Sequence, residues 1–402
     1  MNNLTKNILY GLLTALFFSA FIYFEEYNLT NKFINTLFGI TSLVLFLYIP
    51  KRSILIAGFL IGLFWFYWIG YSFEYQGVGY LTPVITFSFG VVYLLFFLPL
   101  YFTNKPIIRA LLLFGLSFVE PFDWNWLQIE LIFVDSYIGV FKYQLALVLL
   151  ALSLPAYMSK KFKYLPLLLL VAAFNYGYPS QKDAPLKIKL INTDVKQDYK
   201  WKREALSPTI EMIFKEINKA VEEKYEVIVL PESVFPLYIN HNRKLMNQLL
   251  NASKKITIVA GALLREDSKN YNVTYMFNNG KYEVAKKLVL VPFGEYVPLP
   301  KFAQKIINDT FFSGASDFLT ATTPTDFLIK GVKFRNAICY EATCQELYDG
   351  ENIDFVIATS NNAWFAPSIE PTIQKLLLRY YARKNGCTVY HSANYKGSGV
   401  IK

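Results

Sequence analysis

A chain of 402 residues that is 54% hydrophobic, 17% aromatic and only 17% charged is too apolar for an ordinary soluble protein of its length, so membrane insertion is the first expectation. Its net charge of +10 requires no nucleic-acid partner, because lysines and arginines anchoring helices at anionic lipid account for much of it. The three cysteines, Cys339, Cys344 and Cys387, cannot all pair, which leaves at least one thiol free.

In chain order, charge is sparse as far as Tyr178 and reaches globular density from Gln181 onward. This predicts two domains, a membrane domain over 1–180 and a second domain over 181–402. The first holds about seven candidate spans, at 8–24, 33–48, 54–73, 81–102, 107–118, 140–158 and 164–178, the fifth of them short. The opening span lacks a clean small-x-small cleavage site and is followed at once by further spans, so it reads as a retained helix rather than a signal peptide. If the spans alternate, Lys6, Lys51, Arg52, Lys105, Arg109, Lys160, Lys161 and Lys163 fall on one side, and Glu25, Glu26, Glu74, Glu120 and Asp123 on the other. The cationic side is expected to be cytoplasmic. An odd number of spans starting inside then delivers the second domain to the outer face. Between the fifth and sixth spans, Phe122, Trp124 and Trp126 are expected at the outer interface, as anchors or as the lining of a lipid portal.

From Leu186 short β-rich runs alternate with helical stretches, the pattern of an α/β domain. LKIKLINTDV reads as a strand, and 208–224 as an amphipathic helix with Ile210, Ile213, Phe214, Ile217 and Val221 on one face. Further strands, a helix in NRKLMNQLLNASK and a hairpin turning at Asn279-Gly280 follow. Several strands are continuous apolar runs, as expected of strands covered on both faces.

Three of these strands end in chemistry. IVLPESVFP presents Glu232, KKLVLVPFGEYVP presents Lys286, Lys287 and Glu295, and NAICYEATC presents Cys339. Ligand and catalytic groups gather at strand ends in such sheets. A carboxylate that takes a thiol proton, a thiolate that attacks a carbonyl and an ammonium that steadies the oxyanion suffice for covalent acyl chemistry. No histidine is needed in a chain that has only His241 and His391. Each residue also has a plainer reading: Cys339 as a buried core thiol, Glu232 as a helix N-terminal carboxylate, Lys287 as an edge-strand lysine and Glu295 as a turn residue.

LPES with Glu232, LVPFGEYVP after Lys287, and CYE from Cys339 to Glu341 occur in the order found in the nitrilase or carbon–nitrogen hydrolase superfamily. LVPFGEYVP behind a multispan domain resembles the bacterial apolipoprotein N-acyltransferase family specifically, and the resemblance covers essentially the whole chain. It implies a multispan α-helical membrane domain followed by an α/β nitrilase-like α-β-β-α sandwich. By resemblance Cys339 is the nucleophile, Glu232 the general base and Lys287 the oxyanion-stabilising lysine, supported by Glu295, Tyr340, Glu341 and Asn272. Trp201 and Phe293 lie in loops expected to cover the mouth of the site; Trp201 reads equally as an interfacial aromatic anchor. No cofactor or metal is implied. The implied partners are a glycerophospholipid acyl donor, diacylglyceryl apolipoprotein acceptors and membrane lipids, with no nucleic acid. The implied setting is a monomer in the bacterial inner membrane with its catalytic domain on the periplasmic side.

The chain departs from the family pattern at Asn362, where an Asp is usual, at Ala366 in place of a Gly, and at Lys384, where a carboxylate is expected. NYKGSG matches only loosely, and no C-terminal membrane-crossing helix is expected before Lys402. A membrane-tethered nitrilase-type amidase, in which water resolves the thioester, uses the same trio. A transporter or sensor is disfavoured because Arg109 and Lys142 lie near span ends. Whether Cys344 pairs with Cys387 or with Cys339 stays open at this level.

Overall fold

The computed structural model describes residues 2–179, 181–292, 294–296, 318–350 and 353–402. The chain divides into two compact units, Met1–Gly177 and Tyr178–Lys402.

The first unit is helical, as apolar chain must be where the surroundings offer no partner for backbone N–H and C=O groups. Its helices are α1 (Asn3–Glu26), α2 (Lys32–Tyr48), α3 (Lys51–Phe66), α4 (Thr82–Phe97), α5 (Pro106–Leu116), α6 (Lys142–Ser153) and α7 (Leu169–Ala173). The side chains of Asn2 and Asn31 cap the first two. Among the described residues three stretches are long and apolar enough to cross a membrane, Asn3–Glu26, Lys51–Tyr75 and Gly79–Phe102, and three shorter apolar helices accompany them. The stretch expected at 164–178 forms only a 3-10 turn and the five-residue α7. It ends there because Phe174 pairs with Ile138 in a β-bridge, and Asn175 N–H donates to the Tyr137 carbonyl at 2.8 Å.

α3 and α4 approach closely through glycine: a Cβ on Gly62 would lie 2.3 Å from the Phe89 carbonyl oxygen, so the backbones touch where a side chain would separate them. The outward side chains Val84, Phe87 and Leu95 of α4 are exposed and apolar, as a lipid-facing surface requires. The two cations near span ends have structural partners. Arg109 donates to the carbonyls of Phe46, Leu47 and Ile49, closing the end of α2, and Lys142 lies 2.7 Å from buried Glu130. Of the aromatic trio between the fifth and sixth spans only Phe122 is exposed. Trp124 and Trp126 are buried, with Trp126 5.3 Å from Trp68, so they pack into the helices rather than line a portal.

The second unit is built from two sheets. The first has the order β1 (Ile188–Leu190), β2 (Val227–Val229), β4 (Thr257–Glu266), β5 (Lys269–Asn278), β6 (Lys281–Lys286), with β3 (Phe235–Tyr238) also on β4. The second runs β11 (Gly399–Ile401), β10 (Thr388–Asn394), β9 (Phe355–Asn361), β8 (Val332–Ile338), β7 (Asp326–Ile329). The pairs β1–β2, β2–β4, β3–β4, β8–β9 and β9–β10 are parallel, and β4–β5, β5–β6, β7–β8 and β10–β11 antiparallel. Val227, Val229, Val259 and Met276 of the first sheet share one buried cluster with Phe327, Phe334, Ile357 and Tyr390 of the second, so the sheets pack face to face. The other face of the first sheet is covered by α9 (Arg203–Glu222) and α10 (Arg243–Ala252) through Ile213, Ile217, Leu245 and Leu249. α11 (Glu370–Asn385) packs against β10 and β11, and a short α8 (Gln197–Lys200) precedes α9. This is an α-β-β-α sandwich. The helix read from the sequence at 208–224 begins five residues earlier and carries Pro208 inside it.

Candidate active site

Each reactive side chain leaves the sandwich where a strand stops. β2 ends in Pro231-Glu232-Ser233, and this turn crosses β4 so closely that a Cβ on Gly261 would lie 2.6 Å from Glu232 Cα and 2.5 Å from Ser233 N. β6 ends at Lys286, and the next residue, Lys287, donates its N–H to the Asn272 carbonyl on β5 at 3.0 Å. β8 ends at Ile338, and Cys339 adopts φ +54° as the chain turns into a 3-10 helix. A non-glycine residue in the left-handed region is strained and held there by its surroundings.

Glu341 supplies part of that hold. Its Oε1 accepts the Ile338 N–H at 2.6 Å, and its Oε2 accepts those of Leu288 at 2.5 Å and Val289 at 3.2 Å. One buried carboxyl thus ties the chain before Cys339 to the chain after Lys287. Burial pushes it up to about 7, against the opposing pull of Lys287 and the three N–H groups.

At the centre is the buried Lys287 ammonium, 2.7 Å from Glu295 Oε2 and 4.0 Å from Glu232 Oε1. Burial pulls this amine down, but Glu295 and then Glu232 outweigh it and hold it above the usual lysine range. Asn272 Nδ2 donates to Glu232 Oε1 at 2.8 Å and to Glu295 Oε1 at 3.4 Å, fixing the two carboxylates relative to each other. Glu295 is itself held by the Val291 N–H at 2.8 Å. Burial, and after it the charge of Glu232, pushes the Cys339 thiol well up, while Lys287 pulls the other way. The outcome is a protonated resting thiol that feels both the Glu232 carboxylate and the Lys287 cation.

Cys339, Glu232, Lys287, Glu295, Asn272 and Glu341 therefore converge. Tyr340 is buried, and its carbonyl accepts from Thr343 Oγ1 at 2.7 Å. Trp201 is 45% exposed at the end of α8, and Phe293 lies outside the described residues. Cys344 and Cys387 are buried and Cys339 is half-buried; none of the three is in a disulfide, so the structure contains neither pairing left open above. Among the described residues no group of three or more His, Cys, Asp or Glu side chains is arranged to hold a metal ion.

Three residues of the site were not anticipated. Buried Lys200 donates to the Glu232 carbonyl at 3.1 Å, and burial lowers its ammonium to about 8 although Glu232 and Cys339 oppose that. Gln374 Nε2 lies 3.8 Å from Cys339 Sγ. Glu370 is buried, with no hydrogen-bond partner for Oε2 among the described residues, and burial followed by the Glu232 charge pushes it well up. The available signal was the spacing of Glu370 and Gln374, which places two polar side chains one turn apart on the buried face of α11, beside Ile373 and Leu377.

Helices of membrane-crossing length followed by a two-sheet sandwich with a Cys-Glu-Lys cluster at its strand ends define a membrane-anchored protein of the carbon–nitrogen hydrolase class. Residues 191–400 match the carbon–nitrogen hydrolase family, and residues 5–176 match the apolipoprotein N-acyltransferase integral membrane domain. An apolipoprotein N-acyltransferase of Wolinella succinogenes is 43% identical over 98% of this chain and 96% of its own length. Those of Helicobacter pylori and Campylobacter jejuni are 36% and 34% identical, over 94% and 100% of this chain and 90% of their own lengths. The chain belongs to the apolipoprotein N-acyltransferase family.

Proposed function

We propose that this enzyme transfers a fatty acyl chain from a glycerophospholipid, through a thioester on Cys339, to the α-amino group of a diacylglyceryl-cysteine at a lipoprotein N-terminus. The observation that carries the reading is the buried Lys287 ammonium between Glu295 and Glu232, in a cluster whose charges act on Cys339. Glu232 takes the Cys339 proton, and the thiolate attacks the phospholipid ester carbonyl. Lys287 faces the oxyanion of the tetrahedral intermediate. Collapse breaks the ester C–O bond, and the leaving alkoxide recovers the proton from Glu232 as lysophospholipid departs.

In the second half the neutral α-amine attacks the thioester carbonyl. Its surplus proton passes to Glu232 and then to the departing thiolate, which restores Cys339. Water must be kept from the thioester until the amine arrives, and the loop carrying Trp201 is assigned this covering role. The active domain is assigned to the periplasmic face of a bacterial inner membrane, following the lysines and arginines of the alternate loops. A membrane setting suits the donor, since each acyl methylene exposed to water costs about 0.8 kcal/mol.

The test supplies the purified protein with a defined phospholipid and a diacylglyceryl-cysteine peptide, and follows the peptide by mass. A fatty-acyl increment on the α-amine supports the transferase. Release of free fatty acid with an unmodified peptide would instead favour hydrolysis, as in an amidase.

A further inference from the structure

Among the described residues the Cys339 sulfur is approached by the side-chain amide of Gln374 on α11, whose two ends have opposite effects on it. An N–H facing sulfur stabilises the thiolate, whereas a C=O there would accept from the thiol and repel the thiolate. Which end faces Cys339 follows from an atom that cannot flip. The main-chain carbonyl of Lys396 accepts from Asn362 Nδ2 at 2.9 Å, which fixes the Asn362 amide with its nitrogen on that side. The same nitrogen donates to Gln374 Oε1 at 3.1 Å. With Oε1 committed, Nε2 is the end left for Cys339 Sγ, 3.8 Å away. Asn362 and Gln374 are both fully buried, so no bulk water rescues the opposite arrangement. Gly397, at φ +109°, leaves room for it: a Cβ there would lie 3.1 Å from Asn362 Nδ2.

We propose that Gln374 stabilises the Cys339 thiolate through its amide N–H, and that Asn362, anchored on the Lys396 carbonyl, is the positioning residue that sets which end of Gln374 meets the sulfur. The inference rests on the reading of Cys339 as the nucleophile. It gives a physical reason for asparagine where aspartate was expected: a carboxylate at 362 has no N–H for the Lys396 carbonyl, and would draw the Gln374 N–H groups away from the sulfur.

Among the described residues the charged and titratable groups facing Cys339 are Glu232, Lys287, Glu295, Glu370 and Lys200, and neutral substitutions at 374 and 362 leave all five in place. The experiment therefore measures the pH dependence of iodoacetamide modification of Cys339 in the full-length protein in detergent, by peptide mass mapping, with thermal unfolding recorded alongside. Gln374→Met is expected to move the midpoint to higher pH by about one unit, a roughly tenfold slower reaction below it. Asn362→Leu is expected to shift it in the same direction, and to add nothing in the Gln374→Met background. If Gln374→Met does not fold, Gln374→Asn, which withdraws the N–H by one methylene, reads the same shift. An unchanged or lowered midpoint at 374, or additive shifts from the two positions, overturns the proposal. Alkylation needs no acyl donor, so failure of acyl transfer in the wild type would count against the functional reading and not against this one.

Discussion

The Lys287 ammonium is paired with Glu295 at 2.7 Å, while Glu232 stands 4.0 Å away. Glu295 is thus the counter-ion of the buried lysine, and in the proposed mechanism Glu232 serves as the base. Removing its charge turns Lys287 toward Glu232. Glu295→Gln is expected to slow acyl-enzyme formation about 100-fold, the scale of losing an aligned oxyanion donor. It also breaks a buried pair, which costs about 3–5 kcal/mol and shows as a lower melting temperature. Glu232→Gln, by contrast, is expected to abolish thioester formation. Both are read by single-turnover mass analysis, and a Glu295→Gln enzyme with the wild-type acylation rate would remove Glu295 from this role.

Glu341 uses both carboxylate oxygens to hold three main-chain N–H groups on the two sides of the site. In Glu341→Gln one end becomes an NH₂ that faces N–H donors, so at least one buried donor loses its acceptor, at about 1–3 kcal/mol. The expected result is a melting temperature several degrees lower and acylation slowed about tenfold or more, since Cys339 and Lys287 lose their common tie. Unchanged melting and rate would show that the clamp is dispensable.

Gly261 tests the base from behind. An alanine there would press on Glu232 Cα at 2.6 Å and Ser233 N at 2.5 Å, both backbone atoms that cannot rotate away. Gly261→Ala is expected to destabilise by about 1–3 kcal/mol and to displace Glu232, so that activity falls more than the folded fraction does. Thermal unfolding and acyl transfer on the same sample separate the two effects.

His391 is fully buried between Ser360 Oγ at 2.8 Å and the Gly397 carbonyl at 2.9 Å, and burial lowers it from 6.5 to about 4. The folded state therefore binds a proton less readily than the unfolded chain over that interval. Its stabilising contribution is complete above about pH 6.5 and declines as pH falls toward 4, by about 2 kcal/mol between pH 7 and 5. Melting curves at these two pH values are expected to differ less in His391→Gln than in the wild type. An equal acid-induced loss in both would mean that His391 does not set it.

The sequence carried the site best where chemistry and punctuation coincide. Glu232, Lys287 and Cys339 each lie at or just past the end of a strand, and Asn279-Gly280 forms the expected hairpin with φ of +50° and +75°. Lys200 was passed over because one lysine beside Trp201 in QDYKW looks like any solvated charge; only the fold buries it against the Glu232 carbonyl. Gln374 was missed for the opposite reason. A neutral amide in an amphipathic helix carries no charge signal, and its importance comes from Asn362 and Lys396, residues far apart in the chain that the fold brings behind the nucleophile. Composition marks Trp124 and Trp126 as aromatics between two spans without saying that they face inward.

The proposed transfer requires a covalent acyl group on Cys339. The most direct measurement is the intact mass of the full-length protein after incubation with one defined phospholipid, for wild type and Cys339→Ser, before and after hydroxylamine and then with the diacylglyceryl-cysteine peptide. A fatty-acyl increment is expected in wild type only, removed by hydroxylamine and passed to the peptide α-amine. Acyl transfer to the peptide without any adduct at Cys339, or with Cys339→Ser, would contradict it.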